Sequence, residues 1–278
     1  MRTALKRVVG VGIASAALLA PTLVFSGPAQ AAANAEVSVI HGIPNTPVNV
    51  FVNGKSTLKD FKPGSVAGPL SLPAGTYKVT IFAATNTKGT GTPVISASAS
   101  VASGKNYSLV AHLSEAGEPT LTPYVNDVSP VAAGKARLVV RHDAAAPAVD
   151  VLANGKAAFT NLSNPKEASA DLPAGSIDAA VALTGTTKPV IGPAKLDLKE
   201  GTSTIVYADG SATDKTLGLV VQTIDGLHSA PAGVQAGSGG LLTSASATPA
   251  WVWVAGIGGV LVLLSGCTGL VVSMRRND

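Results

Sequence analysis

Few residues in this sequence of 278 have the types and spacing that catalysis or metal binding requires. The only cysteine is Cys267, so neither an intramolecular disulfide nor a cysteine metal cluster can form. The four histidines are too far apart in sequence for a zinc-binding motif. Serine, histidine and aspartate all occur, but no Gly-x-Ser-x-Gly motif marks a nucleophilic serine. We therefore predict no catalytic residue, no metal site and no cofactor, and we do not expect an enzyme.

Two histidines and two aspartates are nevertheless candidates for a site. His41 and His142 each follow an apolar stretch, and they could be ligands or, as we favour, hydrogen-bonding groups of a turn that recurs with the fold. Asp143 and Asp150 could approach each other across a loop and hold Ca²⁺ together with carbonyl oxygens. The sequence alone assigns none of these four side chains a role beyond structure.

The middle of the chain contains the same unit twice, and this duplication relates the two histidines to each other. Residues 41–55 align with residues 142–156 at a constant offset of 101. A period near 100 residues indicates a duplicated domain, because solenoid repeats are only 20–50 residues long. The first copy has Gly42 and Asn49 at the positions of the two aspartates, so a Ca²⁺ site would belong to the second copy alone.

Each copy has the alternating pattern of β-strands. Between residues 48 and 52, valines alternate with other residues in the period of two that a strand requires. Asn53-Gly54 and Asn154-Gly155 follow at equivalent places, and both pairs favour the positive φ angles of a tight hairpin turn. With about seven short strands per copy and no helical period, the chain is predicted to be all-β, with two tandem Ig-like, antiparallel β-sandwich domains.

The predicted domains cover residues 34–128 and 134–226. Each is long enough to build a core of its own, so we expect each to fold alone. Residues 227–249 are rich in Gly, Ser, Ala and Pro, a composition that predicts a flexible stalk.

The N-terminus has the features of a secretory signal peptide, which we predict for residues 1–31. Three cations precede an apolar stretch, and a small-x-small motif at 29–31 places cleavage between Ala31 and Ala32. The alternative is an N-terminal anchor that is not cleaved.

A second apolar segment predicts one transmembrane helix at residues 250–273, followed by a short tail at 274–278. Crossing a hydrocarbon core of ~30 Å takes roughly 20 helical residues, and this segment is long enough. Tryptophans at its start favour the membrane interface, and arginines after its end predict a cytoplasmic tail. The residues that mark this anchor are Trp251, Trp253, Arg275 and Arg276. We therefore predict a single-pass plasma-membrane protein with its N-terminal domains outside the cell.

The net positive charge of the chain lies entirely at its two ends. The formal net charge is +4, but residues 32–250 hold 15 cations and 15 anions, once the five terminal cations and Asp278 are subtracted from 20 and 16. A neutral middle lacks the basic surface that nucleic-acid binding needs, so we expect no nucleic-acid partner. The expected partners are the membrane, through the single span, and cell-envelope proteins or glycan.

Motifs in each copy carry a family resemblance. The second copy combines His-Asp at 142–143, Val-Asp-Val at 149–151 and Asn-Gly at 154–155 with a later Leu-Pro-Ala-Gly. This combination resembles the family called domain of unknown function 4397 (DUF4397), over about residues 36–126 and 136–226. The first copy departs from the family pattern where asparagine replaces the middle aspartate. The resemblance implies a bacterial cell-surface β-sandwich, often in tandem, and the composition would suit an actinobacterium. The family has no established catalytic residues to carry over.

Together these features predict a membrane-anchored, extracellular tandem β-sandwich protein with a structural or interaction role at the bacterial cell surface. The alternative is a weak ligand-binding module for cell-envelope glycan. Carbohydrate sites usually need exposed aromatic rings, and residues 32–250 contain only eight aromatic residues, most of them expected in the core.

Overall fold

The computed structural model describes residues 33–229, and the regular secondary structure of that range is entirely β-strand. Within this range no helix is long and apolar enough to cross a membrane. The predicted signal peptide, the cleavage site at Ala31 and Ala32, most of the stalk and the membrane anchor with Trp251, Trp253, Arg275 and Arg276 lie outside the described residues.

Each repeat contains eight strands, one more than the sequence pattern suggested. The first repeat consists of β1 (Ala35–His41), β2 (Val48–Val52), β3 (Lys55–Phe61), β4 (Val66–Leu72), β5 (Gly75–Ala83), β6 (Ile95–Val101), β7 (Asn106–Leu113) and β8 (Pro119–Asn126). The second repeat consists of β9 (Lys135–His142), β10 (Val149–Ala153), β11 (Lys156–Leu162), β12 (Glu167–Pro173), β13 (Gly175–Leu183), β14 (Pro189–Leu198), β15 (Ser203–Asp209) and β16 (Gly218–Ile224).

Both repeats have the same topology, with two four-stranded sheets each. The first repeat has the orders β4-β1-β7-β8 and β3-β2-β5-β6, and the second has β12-β9-β15-β16 and β11-β10-β13-β14. The expectation of purely antiparallel sheets was wrong at one place in each repeat, because β1 pairs with β7 and β9 pairs with β15 in parallel. Such parallel pairs join strands that are distant in sequence, so no hairpin signal announces them.

The sheets of each repeat pack face to face around a separate hydrophobic core. In the first repeat Val37 and Leu109 from one sheet meet Val50 and Ile81 from the other. In the second repeat Leu138 and Val206 meet Val151 and Val181 in the same way. Two tandem sandwich-like units therefore account for the whole described chain.

The hairpin turns after β2 and β10 have the geometry that Asn-Gly pairs favour. The φ angles are 49° at Asn53 and 77° at Gly54, and 50° at Asn154 and 74° at Gly155. Two successive positive φ values define a type I′ turn, whose twist matches that of the flanking strands. Each asparagine also accepts a backbone hydrogen bond on Oδ1, from Lys78 in the first repeat and from Asp178 in the second.

Candidate functional site

The two repeats meet through the outer faces of the sheets that contain the parallel pairs. Side chains that point away from each sandwich core form a third buried cluster: Ile40, Val110, Tyr124, Val139, Ile205, Tyr207 and Val220. Strands β7 and β15 are consequently buried on both faces. We call this contact between sheets β4-β1-β7-β8 and β12-β9-β15-β16 the junction.

Arg141 is the central polar residue of the junction, and its side chain is only 1% exposed. Its Nη2 donates to Asn126 Oδ1 of the first repeat at 2.8 Å, and its Nη1 donates to the Tyr207 hydroxyl at 2.9 Å. Its Nε donates to Glu167 Oε2 at 2.8 Å, and the guanidinium lies 4.1 Å from the ring centre of Tyr124. A buried guanidinium needs such partners, and here they come from both repeats.

A chain of buried hydrogen bonds continues across the junction from Arg141. Tyr207 donates its hydroxyl proton to Gln222 Oε1 at 2.6 Å, and Ser108 of the first repeat donates to the same oxygen at 2.9 Å. Asn126 donates to Ser108 Oγ at 3.0 Å and to Asn106 Oδ1 at 2.6 Å. Because these polar groups have hydrogen-bond partners in both repeats, they fix how the two sheets are aligned against each other.

Asp143 lies at one end of this network and is completely buried. Its Oδ1 accepts the Tyr124 hydroxyl at 2.6 Å and lies 3.7 Å from His112 Nε2, while its Oδ2 has no hydrogen-bond partner among residues 33–229. Burial raises the pKa of Asp143, and the nearby His112 acts in the opposite direction. Burial also raises the pKa of Tyr124 well above its ordinary value, and the charge of Asp143 adds to this shift.

A second carboxyl group, that of Asp209, lies beside Gly42 of the first repeat and is 8% exposed. Burial, together with the charge of Asp143, raises its pKa to about 7. A Cβ atom at Gly42 would lie 3.1 Å from the Asp209 Cβ, so any larger residue would require Asp209 to shift. Asp143 and Asp209 both lie where the two repeats meet, so we assign these two carboxyl groups to the junction.

The junction has an approximate two-fold relationship between the repeats. His41 lies opposite Ala111 in the β1–β7 register, just as His142 lies opposite Ala208 in the β9–β15 register. The following residues therefore correspond, so that Gly42 is equivalent to Asp143 and His112 is equivalent to Asp209. Asp143 of the second repeat contacts His112 of the first. The equivalent pair with the repeats exchanged is Gly42 of the first repeat and Asp209 of the second, which are also in contact. Reciprocal contacts of this kind are typical of an interface between identical subunits.

His41 and His142 organise the loops that follow their strands. His41 Nε2 hydrogen-bonds Thr46 O at 2.8 Å, and His142 Nε2 hydrogen-bonds Pro147 O at 3.0 Å. The Nδ1 atoms accept from the backbone N–H two residues later, at 3.4 Å and 3.3 Å. Burial lowers the pKa of His41. Both imidazoles therefore have the turn-forming role that we favoured from the sequence.

The structure does not bring Asp143 and Asp150 together as calcium ligands. Asp150 accepts the backbone N–H of Asn161 on Oδ1 at 2.8 Å and that of Gly185 on Oδ2 at 2.9 Å, which lowers its pKa. Asn49 takes the corresponding role in the first repeat, where its Oδ1 accepts the N–H of Asp60. Among the described residues no group of three or more His, Cys, Asp or Glu side chains could hold a metal ion.

A cavity of about 410 Å³ lies at the end of the second sandwich, between the loops after β9 and β15 and the ends of β13 and β14. Its walls include Ala144, Ala146, Val149, Leu183, Val190 and Ile191. The alanines replace Ile43 and Asn45 of the first repeat, where Ile43 packs into the hydrophobic core. Smaller side chains on an equivalent backbone thus leave space in the second repeat that the first repeat fills.

Sequence reasoning missed both the junction and the cavity. Two apolar runs could have indicated the junction: Leu138-Val139-Val140 and Ile205-Val206-Tyr207. Uninterrupted apolar residues are typical of strands that are buried on both faces. Arg137 and Arg141 interrupt the outward face of β9, and charged residues on such a face indicate paired burial. Their partners in the first repeat, Asn126 above all, cannot be identified without the tertiary structure.

Comparison with known families supports the resemblance seen in the motifs. Residues 35–152 match the family model described as Domain of unknown function (DUF4397). The matched region begins at β1, includes the whole first repeat and reaches into β10 of the second. No curated protein matches the chain.

Proposed function

We propose that this protein is a membrane-anchored interaction protein of the bacterial cell surface. The proposal is supported by the match of residues 35–152 to the DUF4397 family model and by the β-rich, extracellular type of module that this match suggests. The two repeats of the protein act as one rigid unit that presents loops and sheet edges to a partner in the cell envelope. The buried junction is the observation that carries the proposal, because it fixes the orientation of the repeats.

The segment between the repeats supports this rigidity. Arg137 donates from Nη1 to the carbonyl oxygens of Asp127 and Ser129, both at 3.2 Å, and holds Asp171 through Nε at 2.9 Å. Val131 donates its N–H to Leu227 O at 2.6 Å. The linker is therefore attached to the second repeat and does not act as a free hinge.

The low exposure of the aromatic residues, five of them buried and three half-buried, favours an interaction role over glycan binding. None of the eight aromatic side chains between residues 33 and 229 is exposed. Binding modules for sugars present exposed rings to the faces of the sugar, and the described surface offers none. The neutral charge of this region likewise favours a partner recognised by shape and hydrogen bonds.

The rigidity can be measured with a distance between spin labels in the two repeats. The exposed, equivalent positions Lys55 and Lys156 are changed to cysteine in a Cys267→Ser background, and pulsed electron resonance gives the distance distribution. We expect one narrow peak, which Arg141→Ala should broaden and Lys195→Ala should leave unchanged. A broad distribution in the parent protein would show that the repeats move independently.

The membrane topology requires a separate test. Protease added to wall-stripped cells should remove both repeats and leave a small membrane-bound fragment that carries the tail with Arg275 and Arg276. Truncation after Pro249 should release the repeats into the medium. Protection of the repeats from external protease would contradict the proposed location.

A further inference from the structure

We propose that the cavity at the end of the second repeat binds the aliphatic chain of a free single-chain amphiphile. Its volume of about 410 Å³ lies within the range of roughly 300–1,000 Å³ that is usual for small-molecule sites. This inference concerns a separate site from the junction and is independent of the proposed interaction role.

The chemistry of the walls selects an apolar ligand. Alanine, valine, leucine, isoleucine and proline side chains form most of the surface, and no charged side chain lines the cavity. His142 is the one titratable lining residue, and both of its ring nitrogens already have backbone partners. A sugar or an ion would leave its polar groups without partners here, whereas an alkyl chain loses nothing by burial.

The size of the cavity favours an alkyl chain over a single amino-acid side chain of a partner protein. A methylene group needs about the volume of one water molecule in the liquid, roughly 30 Å³, so an alkyl chain of about ten carbons would fill most of the space. A leucine or methionine side chain of a partner protein has only four heavy atoms and would leave most of the space empty. Unfilled apolar volume forfeits the contacts that stabilise a complex.

The entrance of the cavity fits an amphiphile whose head remains in water. Leu183 and Val190, 38% and 43% exposed, are large apolar residues of the lining that remain open to solvent. The neighbouring loops carry the exposed residues Lys188, Asp214 and Lys215, and the Asp150 carboxylate accepts the N–H of Gly185 in the loop after β13, so these four charges cancel. The head of the ligand would therefore remain in water at the entrance, and the apolar lining alone selects the ligand.

The cavity lies far from the last described residues of the chain. The cavity lies at the His142 end of β9, whereas Leu227, close to where the described chain ends, bonds Gly201 next to the Lys135 end. Those ends are separated by the length of an eight-residue strand, roughly 25 Å at 3.3 Å per residue. The space suits one alkyl chain of about ten carbons, so a free single-chain amphiphile fits it better than a bilayer lipid with two long chains.

Photolabelling of the full-length chain in detergent-free phospholipid nanodiscs with a diazirine derivative of decanoic acid tests the proposal. We expect the label in segments 183–191 and 210–217, with displacement by unlabelled decanoate. Ala144→Ile, which restores the residue of the first repeat, should lower labelling there at least five-fold. Ala158→Ile adds the same atoms at an exposed position of β11 and should change labelling less than two-fold.

A second variant keeps the test decisive if Ala144→Ile disturbs the fold. Leu183→Ser changes an exposed rim residue, so it should preserve the melting temperature while lowering labelling at least three-fold. Equal labelling of Ala144→Ile and Ala158→Ile, or a label confined to other segments, would overturn the proposal. Labelling of these segments by a tagged phospholipid but not by the decanoic acid probe would overturn the choice of a free amphiphile.

Discussion

The two repeats share one topology but use the same end of their sheets in different ways. In the first repeat Gly42 provides space for a carboxyl group of the other repeat, whereas the equivalent Asp143 is itself a buried acid. His112 and Asp209 also correspond, and each faces the residue at that end of the other repeat. The comparison teaches that equivalent places of a symmetric contact can hold unlike groups: the second repeat supplies the two carboxyl groups, and the first supplies the glycine and the imidazole that face them.

The loops at this end show the same kind of divergence. Ile43 completes the core of the first repeat, while Ala144 at the equivalent place leaves a cavity in the second. His41 and His142 keep identical loop contacts in both repeats. The hydrogen bonds of these two histidines thus keep the same loop backbone in both repeats, while the side chains on that loop differ in volume.

Separating the repeats should have the largest effect on stability. Fragments 34–128 and 134–226 each contain a complete core, so each should still unfold cooperatively. Each should be several kcal/mol less stable than in the tandem, because Val139, Ile205 and Tyr207 or their counterparts become exposed. Urea titrations followed by circular dichroism measure this, and sedimentation detects self-association of the exposed faces. A fragment that stays unfolded would show that the two cores depend on each other.

Arg141→Ala should be the most damaging single substitution at the junction. Removing one partner of a buried ion pair typically costs about 3–5 kcal/mol. Because the Glu167 side chain is 42% exposed and can hydrate, we expect the lower end, about 3 kcal/mol, in the free energy of unfolding. Lys156→Ala, at an exposed position, should change it by less than about 0.5 kcal/mol. Similar values for both variants would show that the network contributes little.

Asp209→Asn should change the pH dependence of stability. The folded protein holds the Asp209 proton up to a pKa of about 7, against 3.8 when unfolded, so its stability should fall as pH rises from about 4 to 7. The amide removes this loss and should stabilise the protein at pH 8 by up to ~4 kcal/mol, at 1.36 kcal/mol per pKa unit, with little change at pH 4. Melts at both pH values measure the difference. The exposed control Asp214→Asn should show no such contrast, and a gain at pH 4 alone would refute the assignment.

Gly54→Val should have the smallest of these effects and should test the hairpin alone. No atom would contact a Cβ at this position, so any cost comes from the φ angle of 77°. A left-handed conformation costs an L-residue roughly 1–2 kcal/mol, and a β-branched side chain tolerates it least. Lys55→Ala next to it should be nearly neutral in the same chemical denaturation assay. Equal effects of the two substitutions would contradict the turn geometry.

Local features of the sequence were sufficient to predict the class of fold. The Asn53-Gly54 turn, the alternating valines before it and their recurrence 101 residues later indicated two all-β units. The loop role of His41 and His142 also followed from local position. The parallel pairs β1–β7 and β9–β15 could not be predicted from local sequence, because the paired strands are about 70 residues apart and no turn connects them.

The sequence by itself determined the duplication, the strand periodicity and the tight turns, because each depends on residues that are neighbours along the chain. Only the tertiary structure decided that Arg141 bonds Asn126, that Asp209 faces Gly42, and that the second repeat contains a cavity. These features depend on which outer faces meet and on how much volume the side chains at the loops fill. Burial between two sheets then sets the high pKa of Asp209, since the loss of water raises the free energy of its charged form.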